Sequence, residues 1–138
     1  MLMSVGNDVI NLVGVPFLNG GRNPQVGLDC WGLVMEAYFR LTGNRLPDFR
    51  IDAMDADRIA GEILNQETSP AWELFDKPGI GRVVVIKNHP RFKNHTGLCI
   101  SDTRFIHTMG KMNAVIDRLN SPAWRNRIYG YYRWMKEK

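Results

Sequence analysis

Gly27-Leu28-Asp29-Cys30-Trp31-Gly32-Leu33-Val34 joins a glycine-rich loop to an amphipathic helix. Upstream lies Asn19-Gly20-Gly21-Arg22-Asn23-Pro24, rich in turn formers and without a hydrophobic period. Downstream, Leu33, Val34, Ala37, Tyr38 and Leu41 recur at helical spacing. Gly43 is placed to stop that helix and Pro47 follows it. Cys30 therefore falls in the first helical turn, with Asp29 as N-cap. Unpaired backbone N–H groups and the helix dipole favour negative charge there. A thiol at such a position is expected to have a lowered pKa and to be nucleophilic. Free cysteines are also common as inert core residues, so the case for chemistry has to come from elsewhere in the chain.

The chain has 138 residues, 44% hydrophobic and 23% charged, which is the make-up of one folded domain spanning 1–138 and not of a disordered segment. The net charge of +4 suits a polyanionic neighbourhood such as nucleic acid or a bacterial wall. The densest basic stretch, Arg125, Arg127, Arg133, Lys136 and Lys138, is interleaved with Tyr129, Tyr131, Tyr132 and Trp134. We read it as a terminal strand with one solvated face and expect no nucleic-acid partner. Two distant cysteines, Cys30 and Cys99, make no disulfide framework. Met1 to Asp8 show no charged region, apolar core or cleavage site, so no signal peptide is expected and synthesis is placed in the cytoplasm. No apolar run reaches the ~18 residues of a membrane span.

Residues 8 to 15 read as a short helix ended by Pro16. Leu46 to Arg50 is a connection, and Asp55 or Asp57 caps a helix running to about Gln66, with Ile59, Ile63 and Leu64 inward. Ser69-Pro70 opens a third, short helix through Trp72, Leu74 and Phe75. After the turn Pro78-Gly79-Ile80-Gly81, the β-branched run Arg82 to Lys87 is a buried strand. Strands follow at His95 to Ser101, Arg104 to Met109, Ala114 to Leu119 and Ile128 to Trp134, with a helical turn begun by Ser121-Pro122. Asp102-Thr103 closes a hairpin between the first two of these four strands. Helices first and sheet second is the α+β pattern, with N-terminal helices packed on a mainly antiparallel sheet.

His89 lies in an exposed loop, whereas His95 opens a strand and shares a face with Gly97 and Cys99. His107 lies in the next strand, so the hairpin makes His95 and His107 neighbours. A helix-end cysteine against a sheet carrying two histidines suits thiol nucleophile chemistry: one imidazole takes the thiol proton and a second polar group orients that imidazole.

These residues also carry a family resemblance. Asp29-Cys30-Trp31-Gly32-Leu33-Val34 resembles the Asp-Cys-x-Gly-Leu-Val signature of NlpC/P60 cysteine peptidases. Gly20-Gly21, His95-Thr96-Gly97 and Phe105-Ile106-His107 match that family's remaining motifs, in its order, over about Val15 to Gly110. The resemblance implies a minimal papain-like domain hydrolysing an amide of the peptidoglycan stem peptide, typically from γ-D-glutamate to diaminopimelate or lysine. It implies Cys30 as nucleophile, His95 as base and then acid, and His107 as the residue that orients His95. Phe17, Gly20, Gly21, Asp29 and Trp31 are the expected substrate-binding positions, and no cofactor or metal is needed. Gly-Gly-Arg-Asn-Pro and the terminal Gly130-Tyr131-Tyr132-Arg133 look most like the phage-tail and prophage branch, which implies phage tail proteins as partners and delivery to the wall in a phage-tail-like particle. Where family members have Pro-Tyr before the loop, this chain has Pro16-Phe17, which keeps the ring and loses the hydroxyl. Asp29 opposes thiolate formation at Cys30 unless a cap or salt bridge turns it away.

Three other readings compete. Cys30, His95, Cys99 and His107 are zinc-ligating residue types, although mid-strand Cys99 reads as a core residue. The fold could also serve as a structural tail component with little hydrolytic activity, or as a papain-like amidase or acyltransferase.

Overall fold

The computed structural model describes residues 8–135. The expectation of no signal peptide therefore falls mostly on residues outside this range, as do Lys136 and Lys138 of the basic stretch.

The helix expected over residues 8 to 15 is one helical turn through Ile10, continued by i,i+3 turns and ended at Gly14, whose φ is +92°. Gly14 N–H and Val15 C=O bond to the main chain of Ala114, so the segment is tied to the sheet and cannot coil further. The glycine-rich loop contains a small antiparallel ribbon, β1 (Arg22–Asn23) with β2 (Gly27–Leu28).

Helix α1 (Cys30–Thr42) follows directly. Asp29 caps it by accepting from Gly32 N–H, and Gly43 ends it in the left-handed region at φ +77°. Its buried face is Gly32, Leu33, Val34, Ala37 and Tyr38. Helix α2 (Ala56–Glu67) is capped by Asp55 and has no fully buried residue. Ile59 and Ile63 face a cleft, but Leu64, expected inward, is 58% exposed. The helix rims the cleft and does not lie on a core, so its apolar stripe is narrow.

The short helix expected after Ser69-Pro70 is instead strand β3 (Trp72–Phe75). Ser69 Oγ does accept from Ala71 N–H, as a cap would. The next four residues extend because they pair with β8 (Ile128–Trp134), Trp72 opposite Trp134 and Phe75 opposite Tyr131. Aromatic residues suit such a pleated surface. The remaining strands are β4 (Val83–Ile86), β5 (His95–Cys99), β6 (Arg104–His107) and β7 (Val115–Arg118), giving the order β3-β8-β4-β5-β6-β7 with every pairing antiparallel. β8 lies between β3 and β4 and is buried from Gly130 to Tyr132, so it is an interior strand. The expectation of one solvated face fails at its centre.

The two faces of the sheet are covered differently. Val83, Leu98 and Ile106 pack under α1 with Leu33, Val34 and Ala37. Val84, Ile86, Cys99, Phe105 and Tyr131 pack on the other face with Leu119 and Trp124 from the turns after β7. Cys99 is a core residue, as its mid-strand position implied.

Candidate active site

The N-terminus of α1 is built by the glycine loop. Asp29 is 2% exposed and all of its contacts are internal. Its Oδ1 accepts from Gly32 N–H at 2.8 Å and from Arg22 Nη1 at 2.7 Å, and its Oδ2 accepts from Gly20 N–H at 3.0 Å. Arg22 reaches on to Asp48 at 2.9 Å and to the carbonyls of Gly21 and Phe49. The loop glycines are needed for close approach. A Cβ on Gly21 would stand 2.2 Å from Gly27 O, and one on Gly32 would stand 2.2 Å from Gly21 O.

This frame presents Cys30, which is half-buried. Trp31 N–H and the hydroxyl and N–H of Thr96, the residue after His95, favour its ionised form. The helix end was expected to lower the thiol pKa. Instead it is pushed up to about 11, first by desolvation and then by the charge of Asp29, against which those three donors are too weak. Cap and salt bridge hold Asp29 in place without cancelling its charge.

His95 and His107 lie on the sheet face opposite α1, with Phe105 and Cys99. The hairpin pairs Leu98 with Ile106 and Cys99 with Phe105, so His95 stands two residues along from the position opposite His107. The rings still meet, His95 Nε2 lying 2.9 Å from His107 Nδ1. Gly97 makes room, because a Cβ there would come 2.7 Å from the Phe105 ring and 3.1 Å from His107 Cβ. His95 and His107 are 3% and 0% exposed. Burial, and next the neighbouring His107, drives His95 down to about 3. Burial also lowers His107, opposed by Asp117. The resting pair of reactive groups is thus a neutral thiol and a neutral imidazole.

Beside Cys30 opens a cleft lined by Asp29, Trp31, Phe49, Ile59, Ile63, Trp72, Thr96 and Tyr132, among others. Trp31 donates from Nε1 to Pro47 O at 2.8 Å and packs on Phe49 and Trp72. The Glu67 carboxylate closes one side between Lys93 Nζ at 2.7 Å and Tyr132 OH at 2.6 Å.

Of the residues expected at the site, Cys30, Asp29 and Trp31 line this cleft; His95 and His107 do not line it and form their pair on the opposite face of the sheet, on β5 and β6. Phe17 forms an isolated bridge with Leu28, and Gly20 and Gly21 shape the helix cap; none of the three lines the cleft. His89, expected exposed, is half-buried, lies tilted against the Phe92 ring and accepts from Arg91 N–H; it does not line the cleft. Among the described residues no group of three or more His, Cys, Asp or Glu is placed to hold a metal ion, and no helix is long and apolar enough to cross a membrane. Sequence reasoning missed Thr96, Arg22, Trp124 and Asp117, the last lying 2.7 Å from His107 Nε2. A carboxylate opposite Phe105 in the β6–β7 register was the available signal, readable only once that register is known.

Comparison with known proteins gives the family and the fold. The chain is 27% identical over 128 residues to the probable endopeptidase YafL of Escherichia coli K12, covering 91% of this chain and 47% of that protein. It is 26% identical to the gamma-DL-glutamyl hydrolase of Bacillus subtilis 168, covering 88% and 27%. It is also 26% identical to the murein DD-endopeptidase MepH of E. coli K12, covering 96% and 45%. The chain thus spans less than half the length of each of these relatives. A solved structure from Staphylococcus aureus Mu50, described as similar to a lipoprotein of the NLP/P60 family, superposes with a TM-score of 0.65 at 19% identity, covering 97% of this chain and 41% of that one. That likeness establishes the α+β, papain-like fold. The sequence model of the NlpC/P60 family matches residues 14–133, and the chain belongs to the NlpC/P60 family.

Proposed function

We propose that the chain is a cysteine peptidase that hydrolyses an amide bond of the peptidoglycan stem peptide, with Cys30 as nucleophile, His95 as base and His107 orienting His95. The observation that carries this reading is a cysteine at the N-terminus of α1, lining the cleft with Thr96, the residue that follows a buried histidine held 2.9 Å from a second one. As the sulfur attacks the carbonyl carbon, His95 takes the thiol proton, so thiolate character develops only with the attack. The first-turn N–H of Cys30 is an oxyanion donor to the tetrahedral intermediate. Collapse of that intermediate breaks the C–N bond, and His95 returns the proton to the leaving amine. Water, deprotonated by His95, then hydrolyses the thioester and restores the thiol.

The name of one relative, a murein DD-endopeptidase, supports a wall substrate, and the relatives' names differ on the bond, another being a gamma-DL-glutamyl hydrolase. The γ-D-glutamyl bond to diaminopimelate or lysine is our reading, on the strength of the Asp-Cys-x-Gly-Leu-Val resemblance. Mass analysis of fragments released from purified sacculi tests it. A new amino terminus on diaminopimelate or lysine is expected. Cleavage between D-residues would move the bond, and no fragments beyond those of a Cys30→Ser control would overturn the reading. Delivery in a phage-tail-like particle is the reading that the Gly-Gly-Arg-Asn-Pro loop supports, tested by co-sedimentation of the protein with such particles.

A further inference from the structure

We infer that Asp117 is a positioning residue that fixes the tautomers of both histidines, leaving His95 Nδ1 as the bare nitrogen that accepts the thiol proton. The inference rests on the peptidase reading above and starts from one oxygen. Asp117 Oδ2 lies 2.7 Å from His107 Nε2 and 3.1 Å from Trp124 Nε1. An indole N–H only donates, so whatever occupies the Oδ2 position must accept. An ionised carboxylate also only accepts, so the proton between Asp117 and His107 sits on His107 Nε2. His107 is fully buried, and burial keeps its ring neutral. A neutral imidazole with Nε2 protonated has a bare Nδ1, so His107 Nδ1 accepts, and His95 Nε2, 2.9 Å away, must be the donor. Neutral His95 is then left with Nδ1 bare. Each hydrogen bond dictates the next from Asp117 inward.

Packing holds the relay in register. The His107 ring stacks on Phe105 with centroids 4.4 Å apart, and Trp124 meets it edge-on at 4.8 Å. Without an acceptor at position 117, His107 is free to protonate Nδ1, which reverses the bond to His95 and puts the proton on the nitrogen needed as base.

The test reads tautomers and thiol reactivity without any wall substrate. Side-chain ¹⁵N NMR of the wild-type protein is expected to show Nε2–H on both His95 and His107. Asp117→Asn keeps an acceptor, because Trp124 Nε1–H turns the amide oxygen inward; it is expected to hold both tautomers and to stay within about threefold of the wild-type iodoacetamide alkylation rate at Cys30. Asp117→Leu is expected to give mixed tautomers and a fall of about tenfold or more, since removing a correctly protonated base typically costs far more than that. Nδ1–H on either histidine in the wild-type protein overturns the proposal, and so does an unchanged rate in Asp117→Leu. If Asp117→Leu does not fold, the wild-type spectrum alone decides. Failure to cleave sacculi refutes the peptidase reading and leaves both readouts to judge Asp117.

Discussion

Acid should weaken this protein through His95 in a way that can be calculated. Burial and His107 take His95 from its ordinary 6.5 to about 3 in the folded chain. The unfolded chain therefore binds this proton first as pH falls. A depressed folded pKa contributes stability that is complete above about pH 6.5 and is lost progressively toward about pH 3. The slope for one such group is about 1.4 kcal/mol per pH unit. From about pH 6.5 to 4.5 that is about 3 kcal/mol, and the whole shift amounts to about 5 kcal/mol, a large part of the 5–15 kcal/mol typical of a domain. His107 moves in the same direction and adds to the loss. Urea unfolding followed by tryptophan fluorescence at several pH values measures the slope, and His95→Asn removes the titrating ring. The wild-type slope should exceed that of the variant by about 1 kcal/mol per pH unit or more. Parallel loss of stability in the two proteins would refute the argument that His95 is held neutral.

Other consequences follow from the thiol, the cap and the glycines. In a Cys99→Ala background, ultraviolet thiolate absorbance should show Cys30 ionising near 11, leaving about one molecule in 10⁴ as thiolate at neutral pH; a midpoint below about 8 would contradict the desolvated thiol. Because that pKa is raised, its contribution to stability is complete below the unfolded value of 9.0 and fades as pH rises toward about 11. Gly32→Ala puts a Cβ 2.2 Å from the Gly21 carbonyl and should cost about 3 kcal/mol or more, whereas Gly61→Ala, with nothing within 4 Å, should be neutral or stabilising by up to about 1 kcal/mol. Thermal melts distinguish the two, and equal melting temperatures would show that the loop yields. Arg22→Met leaves the buried Asp29 carboxylate without its cation and should cost about 3 kcal/mol in denaturant unfolding, with poor rescue by lysine, which cannot also reach Asp48 and the Phe49 carbonyl.

Local signals explain why some of this molecule was legible in its sequence. Asp29 and Gly43 bracket α1 because a capping carboxylate and a left-handed glycine act within a few residues. The β-branched run Val83 to Ile86 is a buried strand for the same local reason. The nearness of His95 and His107 was readable from the short turn between their strands, but the register was not, since it depends on Ile100 N–H bonding to Arg104 O. What depended on distant partners was misread. Trp72 to Phe75 carries a helix-start signal and becomes a strand because β8 pairs with it. Leu64 fits a helical stripe but points away from a cleft that only the tertiary fold creates. The direction of the Cys30 shift was missed because helix-end donors are visible in sequence while desolvation is not. Asp117 was missed because nothing within its own strand points to a histidine ten residues earlier.

The central claim is that Cys30 attacks and His95 takes its proton. The most direct measurement is the initial rate of fragment release from purified sacculi by the wild-type, Cys30→Ser and His95→Ala proteins, each confirmed as folded. Cys30→Ser should release nothing above background, and His95→Ala should be slowed by about 10²-fold or more. Full activity in either variant would contradict the account.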